Sequence, residues 1–506
     1  MEISILKLTL IFIKKLLIAY VKLENIMLFN SIDFALFLPL VFILYWFVFN
    51  KKIELQNFLL VVASYVFYGW WDWRFLSLIL FSSVLDYSIG ILLSKEDDSF
   101  KRKVLLGISV VVNLGLLGFF KYYNFFLDNF ITAFSFLGME INASSLNIVL
   151  PVGISFYTFQ TMSYTIDVYR GKLKSTNDFI SFSAFVSFFP QLVAGPIERA
   201  TNLLPQFYKK REFNYAQAVH GMRQILWGLF KKVVIADNCA EIANEIFNNS
   251  QNYSGLTLVL GAIFFSFQIY GDFSGYSDIA IGTSRLFGFN LKKNFSFPYF
   301  SRDIGEFWRR WHISLSTWFK DYLYIPLGGS RGGIWMKIRN TFIIFLVSGF
   351  WHGANWTFIA WGAINAFYFL PLLLTSKHRN NIDIVAKGKF SASLKDLFLM
   401  FKTYLLTLVA WVFFRADSLG HAKYYLLGVF NRPTSFLDPE IYLKYKTLLL
   451  LISVFIFIEW LGRENEFAIE KIHFSKFLRL GFYMLICITI FAFGNFNKTE
   501  FIYFAF

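Results

Sequence analysis

Apolar runs follow one another along the whole chain, near residues 33–49, 55–71, 75–93, 104–120, 146–169, 179–196, 219–240, 255–287, 340–374, 396–416, 446–461 and 476–494. They are continuously apolar rather than alternating, and in lipid only helices or closed barrels satisfy every backbone polar group, so the runs predict helices. One crossing takes about 20 residues, which makes the chain an all-α, polytopic integral membrane protein with about 11–13 helical spans. Pro190, Gly195 and Pro196 interrupt the run at 179–196 and predict a bent or re-entrant element there. Basic clusters at Lys51-Lys52, Lys101-Arg102-Lys103, Lys209-Lys210-Arg211, Lys231-Lys232 and Lys292-Lys293 do not all fall on one side under simple alternation, so re-entrant or interfacial helices are expected as well.

Composition narrows the class. The 506 residues are 56% hydrophobic and 16% charged, too apolar for a water-facing surface, which excludes a soluble enzyme, a nucleic-acid-binding module and a fibrous protein. Lys and Arg number 48 against 33 Asp and Glu. In a membrane chain the surplus describes cytoplasmic loops against anionic headgroups, so the expected partner is the lipid bilayer and no nucleic acid. Cys239 and Cys487 are the only cysteines and no CxxC spacing exists, which argues against disulfides and thiolate metal sites. Residues 1–26 are broken by Lys14 and Lys15 and lack a small-residue cleavage site, so they read as an N-terminal extension or a mis-assigned start ahead of Met27. No internal repeat is found, which weakens a transporter reading.

Three polar neighbourhoods interrupt this background. In residues 306–322, helical spacing puts Trp308, Trp311, Leu315, Trp318 and Tyr322 on one aromatic stripe and Arg309, His312, Ser316 and Lys320 on a polar one beside it. An interfacial anchor explains that pattern, although His312 is an odd choice where Lys or Arg would serve. The second neighbourhood is Ser348-Gly349-Phe350-Trp351-His352-Gly353-Ala354-Asn355-Trp356-Thr357, inside a run longer than one crossing needs. A helix entering near Thr341 places His352 about 17 Å in, halfway through a core of about 30 Å. Ionisable groups at that depth are costly and mark function, against the plainer reading of a neutral histidine gluing two helices. Asn355, three residues on, is expected on the same face as a donor and acceptor. The third, Tyr270-Gly271-Asp272-Phe273-Ser274-Gly275-Tyr276-Ser277-Asp278, offers two carboxylates flanked by glycines. It reads equally as an unwound cavity lining or a surface loop.

Other signatures are missing. There is no Gly-x-Ser-x-Gly elbow, no His-x4-Asp after His312 or His352, and no HExxH or other metal spacing. His220, His378, His421 and His473 fall at expected helix starts or in polar loops and read as structural.

At these residues the chain resembles the membrane-bound O-acyltransferase superfamily, in its bacterial alginate and peptidoglycan O-acetyltransferase branch. The similarity rests on Met27-Leu28-Phe29-Asn30-Ser31, Pro151-Val152-Gly153-Ile154-Ser155-Phe156-Tyr157-Thr158-Phe159-Gln160 and Phe189-Pro190-Gln191-Leu192-Val193-Ala194-Gly195-Pro196-Ile197. It continues through residues 271–278, Trp311-His312, Ile325-Pro326-Leu327-Gly328-Gly329, Phe350-Trp351-His352-Gly353-Ala354, Trp411-Val412-Phe413-Phe414-Arg415-Ala416 and Phe501-Ile502-Tyr503-Phe504. The resemblance implies one domain over 27–506 whose helices surround a central tunnel between cytosol and exterior, in a bacterial inner membrane. It implies no bound cofactor, acetyl-CoA as donor substrate, an exported polysaccharide as acceptor, and a serine-esterase-like extracytoplasmic acetyltransferase as partner. Its essential histidine corresponds to His352 and a second polar position to His312. A sugar hydroxyl is a poor nucleophile, and a neutral imidazole, reference pKa near 6.5, accepts its proton. His352 is therefore expected as general base and His312 as an orienting or polarising group. Trp308, Arg309, Trp311 and Trp318 are expected to shape the donor end, and Trp351, Asn355, Ser316, Asp272 and Asp278 are further substrate-binding candidates; no metal is expected. Two other readings stay open: D-alanyl transfer to teichoic acid within the superfamily, and, from another class, a polysaccharide or ion transporter.

Overall fold

The structure, a computed structural model, describes residues 27–139, 141, 143–193, 195–432, 439–472, 475–496 and 501–502, with only the helical backbone over 439–444. Residues 1–26, Ala194, His473, Tyr503 and Phe504, all named above, lie outside the described residues.

Among the described residues every regular element is helical. Six stretches are long and apolar enough to cross a bilayer: Ile53–Lys95, Ser99–Phe136, Gly255–Leu286, Trp356–Leu374, Leu394–Arg415 and Lys476–Phe493. The first two join helices end to end, Ile53–Asp72 with Leu76–Lys95, and Ser99–Leu117 with Tyr123–Phe136. Shorter apolar helices fill the space between. Phe179–Ser187 breaks at Phe188 before the four-residue Phe189–Leu192, as the proline in that run predicts. Outer helices turn large apolar side chains outward, among them Phe126, Phe367, Met484 and Phe491, and these faces meet lipid.

The helix Gly255–Leu286 runs through the middle. Ser254 caps it, accepting from the Thr257 amide at 3.4 Å, and its 32 residues span about 48 Å at 1.5 Å each. Nearly all of it is buried, including residues 270–277, so the polar island is neither an unwound stretch nor a surface loop but continuous helix. Its glycines serve packing: a Cβ on Gly275 would lie 2.8 Å from the Gly228 carbonyl oxygen, and one on Gly282 would lie 2.5 Å from that of Gly221. Helix Tyr215–Leu229 and the central helix thus meet backbone to backbone through two glycine pairs seven residues apart, a small-residue contact suited to membrane helices.

The apolar run at 340–374 proves to be two helices, Gly333–His352 and Trp356–Leu374, packed as a hairpin. Since the first begins at Gly333, His352 is its final residue rather than a mid-helix one.

Candidate active site

The residues 302–319 form two short helices instead of one. Asp303 caps Ile304–Arg310 through the Glu306 amide, and buried Glu306 receives Arg302 at 3.0 Å and Arg310 at 2.7 Å. The chain then turns: Trp311 is extended and His312 is left-handed (φ 42°, ψ 55°) before Ile313–Phe319 begins. A non-glycine residue in that region is strained and persists only where its surroundings fix it. Here Asn294 does so, its carbonyl accepting from the Ile313 amide at 2.9 Å and its side-chain oxygen from Ser314 Oγ at 2.9 Å. The continuous aromatic and polar stripes expected over 306–322 are therefore broken at His312, which is 1% exposed with its ring edge-on to Phe273 at 4.6 Å.

His352 ends its helix because Gly353 is extended (φ −168°, ψ 159°) and Asn355 starts the next. The imidazole is 4% exposed and sits among Trp351, Trp361 and Phe414, with ring centres 5.0, 5.1 and 5.2 Å away. Trp351 is the shared wall: its ring centre is 5.0 Å from that of His352 and 6.1 Å from that of His312. Trp411 closes the far side, 6.0 Å from Trp361 and 5.0 Å from Trp311. Two imidazoles from segments 40 positions apart thus share one aromatic chamber.

A cleft of about 40 Å³ reaches His352, lined by Lys121, residues 150–156 and Trp351. A larger one of about 470 Å³ is lined by Asn244, Gln268, Asn355, Arg415, Asp417 and Ile502, with Phe358 and Phe414 between it and the chamber. A third, polar pocket holds Lys231, Lys293, Asp278 and Glu459, and its wall residue Phe295 faces the His312 ring at 6.4 Å.

The remaining candidates fall in distinct places. Trp318 stacks on Phe159 at 3.9 Å and donates to its carbonyl at 3.0 Å, one layer behind Trp351. Trp308 donates to Asn365 Oδ1 at 3.2 Å behind Trp361, and Ser316 donates to the Trp311 carbonyl at 3.5 Å. Arg309 is directed elsewhere: it donates to the carbonyls of His378 and Asn381 at 2.8 and 2.7 Å, clasping the loop at 375–393. In that loop Asp383 sits on Arg302, whose guanidinium holds its carboxyl below the usual range. Asn355 is the N-cap of Trp356–Leu374, its oxygen accepting from the Thr357 amide at 3.0 Å and its nitrogen donating to the Asp417 carbonyl at 3.0 Å. The helix break removes it from the face carrying His352, contrary to the spacing.

Asp272 and Asp278 answer to the two lysines read as a basic loop cluster. Lys232 lies 2.8 Å from both Asp272 and Asp237, Lys231 lies 2.5 Å from Asp278, and the backbone amide of Ile502 donates to Asp272 at 2.7 Å. These lysines are buried side chains, not cytoplasmic flags. His220 likewise lies inside a helix, 2.8 Å from Arg285, rather than at a helix start. Lys121, Phe273 and Trp361 border the chamber and escaped sequence reasoning. A lone lysine in an apolar stretch was the available signal for the first; nothing in the pattern distinguishes Phe273 among 66 phenylalanines.

Residues 66–407 match the model of the membrane-bound O-acyltransferase family. The probable alginate O-acetylase AlgI of Azotobacter vinelandii is 43% identical over 396 residues, covering 78% of this chain and 76% of its own. The peptidoglycan O-acetyltransferase of Helicobacter pylori is 36% identical over 433 residues, 80% of each chain. The teichoic acid D-alanyltransferase of Streptococcus thermophilus is 28% identical over 290 residues, 54% of this chain and 69% of its own.

Proposed function

Because the chain belongs to the membrane-bound O-acyltransferase family, and is thus a multi-pass membrane acyltransferase, we propose that it moves acetyl groups from cytosolic acetyl-CoA to a hydroxyl of an extracytoplasmic polysaccharide such as alginate or peptidoglycan, directly or through an extracytoplasmic partner transferase. In this reading residues 27–506 act as one domain in the bacterial cytoplasmic membrane. The observation that carries it is the meeting of His352 and His312 across Trp351, with an open cleft reaching His352.

Charge supports the direction of transfer. Lys95, Lys101, Arg102 and Lys103 flank the start of Ser99–Phe136, whereas residues 137–153 at its other end contain no Lys or Arg. Lys377 and Arg379 follow Trp356–Leu374, whereas 353–356 carry no charge. By the positive-inside rule the His352 end of the hairpin and its cleft belong to the exterior. In this reading His312 lies toward the donor side, since Arg309, three residues before it, clasps the loop that carries Lys377 and Arg379.

The chemistry then follows. The neutral imidazole of His352 accepts the proton of the acceptor hydroxyl as its oxygen attacks the thioester carbonyl. His312 polarises that carbonyl, the C–S bond breaks, and the proton returns to the leaving thiolate. Proton transfer by a placed side chain contributes about 10²- to 10⁴-fold. Longer and closer matches to O-acetylases than to D-alanyltransferases favour acetyl as the group moved.

Purified protein in detergent should consume acetyl-CoA in the presence of acceptor, and His352→Ala should lose at least about 10²-fold in rate while remaining monodisperse. Wild-type turnover by that variant contradicts the reading, and absence of any thioester consumption by the native chain contradicts the acetyl-CoA donor.

A further inference from the structure

The helix carrying His352 ends in an uncommon way. An α-helix leaves its last carbonyls without internal donors, and a left-handed residue just past the end usually recovers them. Extended Gly353 does not provide that closure. The donors come instead from a different helix, more than 200 positions earlier: Lys121 Nζ lies 2.9 Å from the Trp351 carbonyl oxygen and 3.0 Å from that of His352. Tyr122 donates its hydroxyl to the Phe350 carbonyl at 2.8 Å. Three consecutive carbonyls, the last belonging to His352 itself, are held by two adjacent side chains.

Local structure explains how neighbours in sequence reach one target. Successive side chains on a regular α-helix diverge by about 100°, but Gly118–Tyr122 forms a π-turn, which inserts a residue and redirects both. Tyr122 then stacks on Phe350 with ring centres 4.2 Å apart, and the Lys121 ammonium lies over the Trp351 ring at 5.9 Å. A cation at this position also meets the negative end of the helix dipole. Lys121 is the one Lys or Arg between Lys103 and Arg170, in a stretch whose bilayer setting makes a cation costly, and it lines the cleft that reaches His352.

We propose that Lys121, supported by Tyr122, is the positioning residue of His352: it fixes the carboxyl end of the helix, and with it the aim of the imidazole and the opening through which a hydroxyl approaches. This rests on the reading of His352 as the proton acceptor, and the test separates the two. Turnover and KM for acetyl-CoA are measured on purified K121M, K121R, Y122F and H352A, per mole of monodisperse protein. Positioning predicts that K121M loses about tenfold or more in kcat with KM within about twofold, and that K121R, which keeps the donors and the charge, recovers at least about a third of the native rate. Should K121M fail to fold, Y122F decides, with an expected loss of about threefold or more in kcat and an unchanged KM. Native kcat in K121M, or in Y122F where K121M does not fold, overturns the proposal, as does a loss confined to KM or a K121R no better than K121M. Turnover retained by H352A instead removes the reading of His352 on which the proposal stands.

Discussion

A lysine buried in a membrane protein needs its counter-charges within reach, and Lys232 keeps two of them. Its ammonium, 1% exposed, touches Asp237 and Asp272, each also buried. Removing one partner of such a group leaves an uncompensated buried charge at a cost of about 3–5 kcal/mol. Lys232→Met should therefore lower the thermal midpoint in detergent sharply, and adding Asp237→Asn and Asp272→Asn should return much of it. A triple variant no more stable than the single one would show that the cluster is not balanced in this way. The same residues mark where sequence reading stops. Lys231 and Lys232 are adjacent and basic, which is how a cytoplasmic loop looks; their carboxylate partners lie up to 47 positions away on another helix. His352 was legible because the apolar run around it is long and a histidine within it is rare. Lys121 showed only as a lone lysine in an apolar stretch, since its place beside His352 comes from the π-turn at Gly118–Tyr122, and no hydrophobic pattern reports one.

Helices were legible as apolar runs, and their interruptions much less so. The run at 340–374 betrays a break by its length, yet the position of that break decides that His352 ends a helix and that Asn355 begins one. Over 306–322 the period of 3.6 holds on both sides of His312 and hides the left-handed turn, which depends on Asn294 from the preceding segment. Glycines in the polar island suggested unwinding because a sequence does not reveal what approaches them. The approach is a neighbouring backbone, and it sets a prediction for the element. A side chain on Gly282 must displace the Gly221 carbonyl, so Gly282→Val should destabilise by about 1–3 kcal/mol through overpacking, read from the thermal midpoint of purified protein. A native midpoint would mean that the two helices separate easily.

At the scale of the molecule, helices of unequal length surround the central Gly255–Leu286, and the candidate site lies where short segments meet: the turn at His312, the end of the His352 helix, and the Trp411 face of Leu394–Arg415. That an all-α polytopic membrane protein results follows from composition and the length of the apolar runs. That two histidines share a chamber does not, because their proximity depends on how distant helices pack. The loops differ in charge, basic around Lys95–Lys103 and free of Lys and Arg at 137–153, and the proposed direction of transfer takes the basic ones as cytosolic. Acetyl groups should accordingly pass through the protein from one face to the other. Sealed proteoliposomes containing the purified chain, loaded with acetyl-labelled acetyl-CoA on the side of the basic loops and supplied with polysaccharide or partner acceptor outside, put this to the test. Label should appear on the outer acceptor with the native chain and not with His352→Ala; label reaching the acceptor equally with both would contradict transfer through His352.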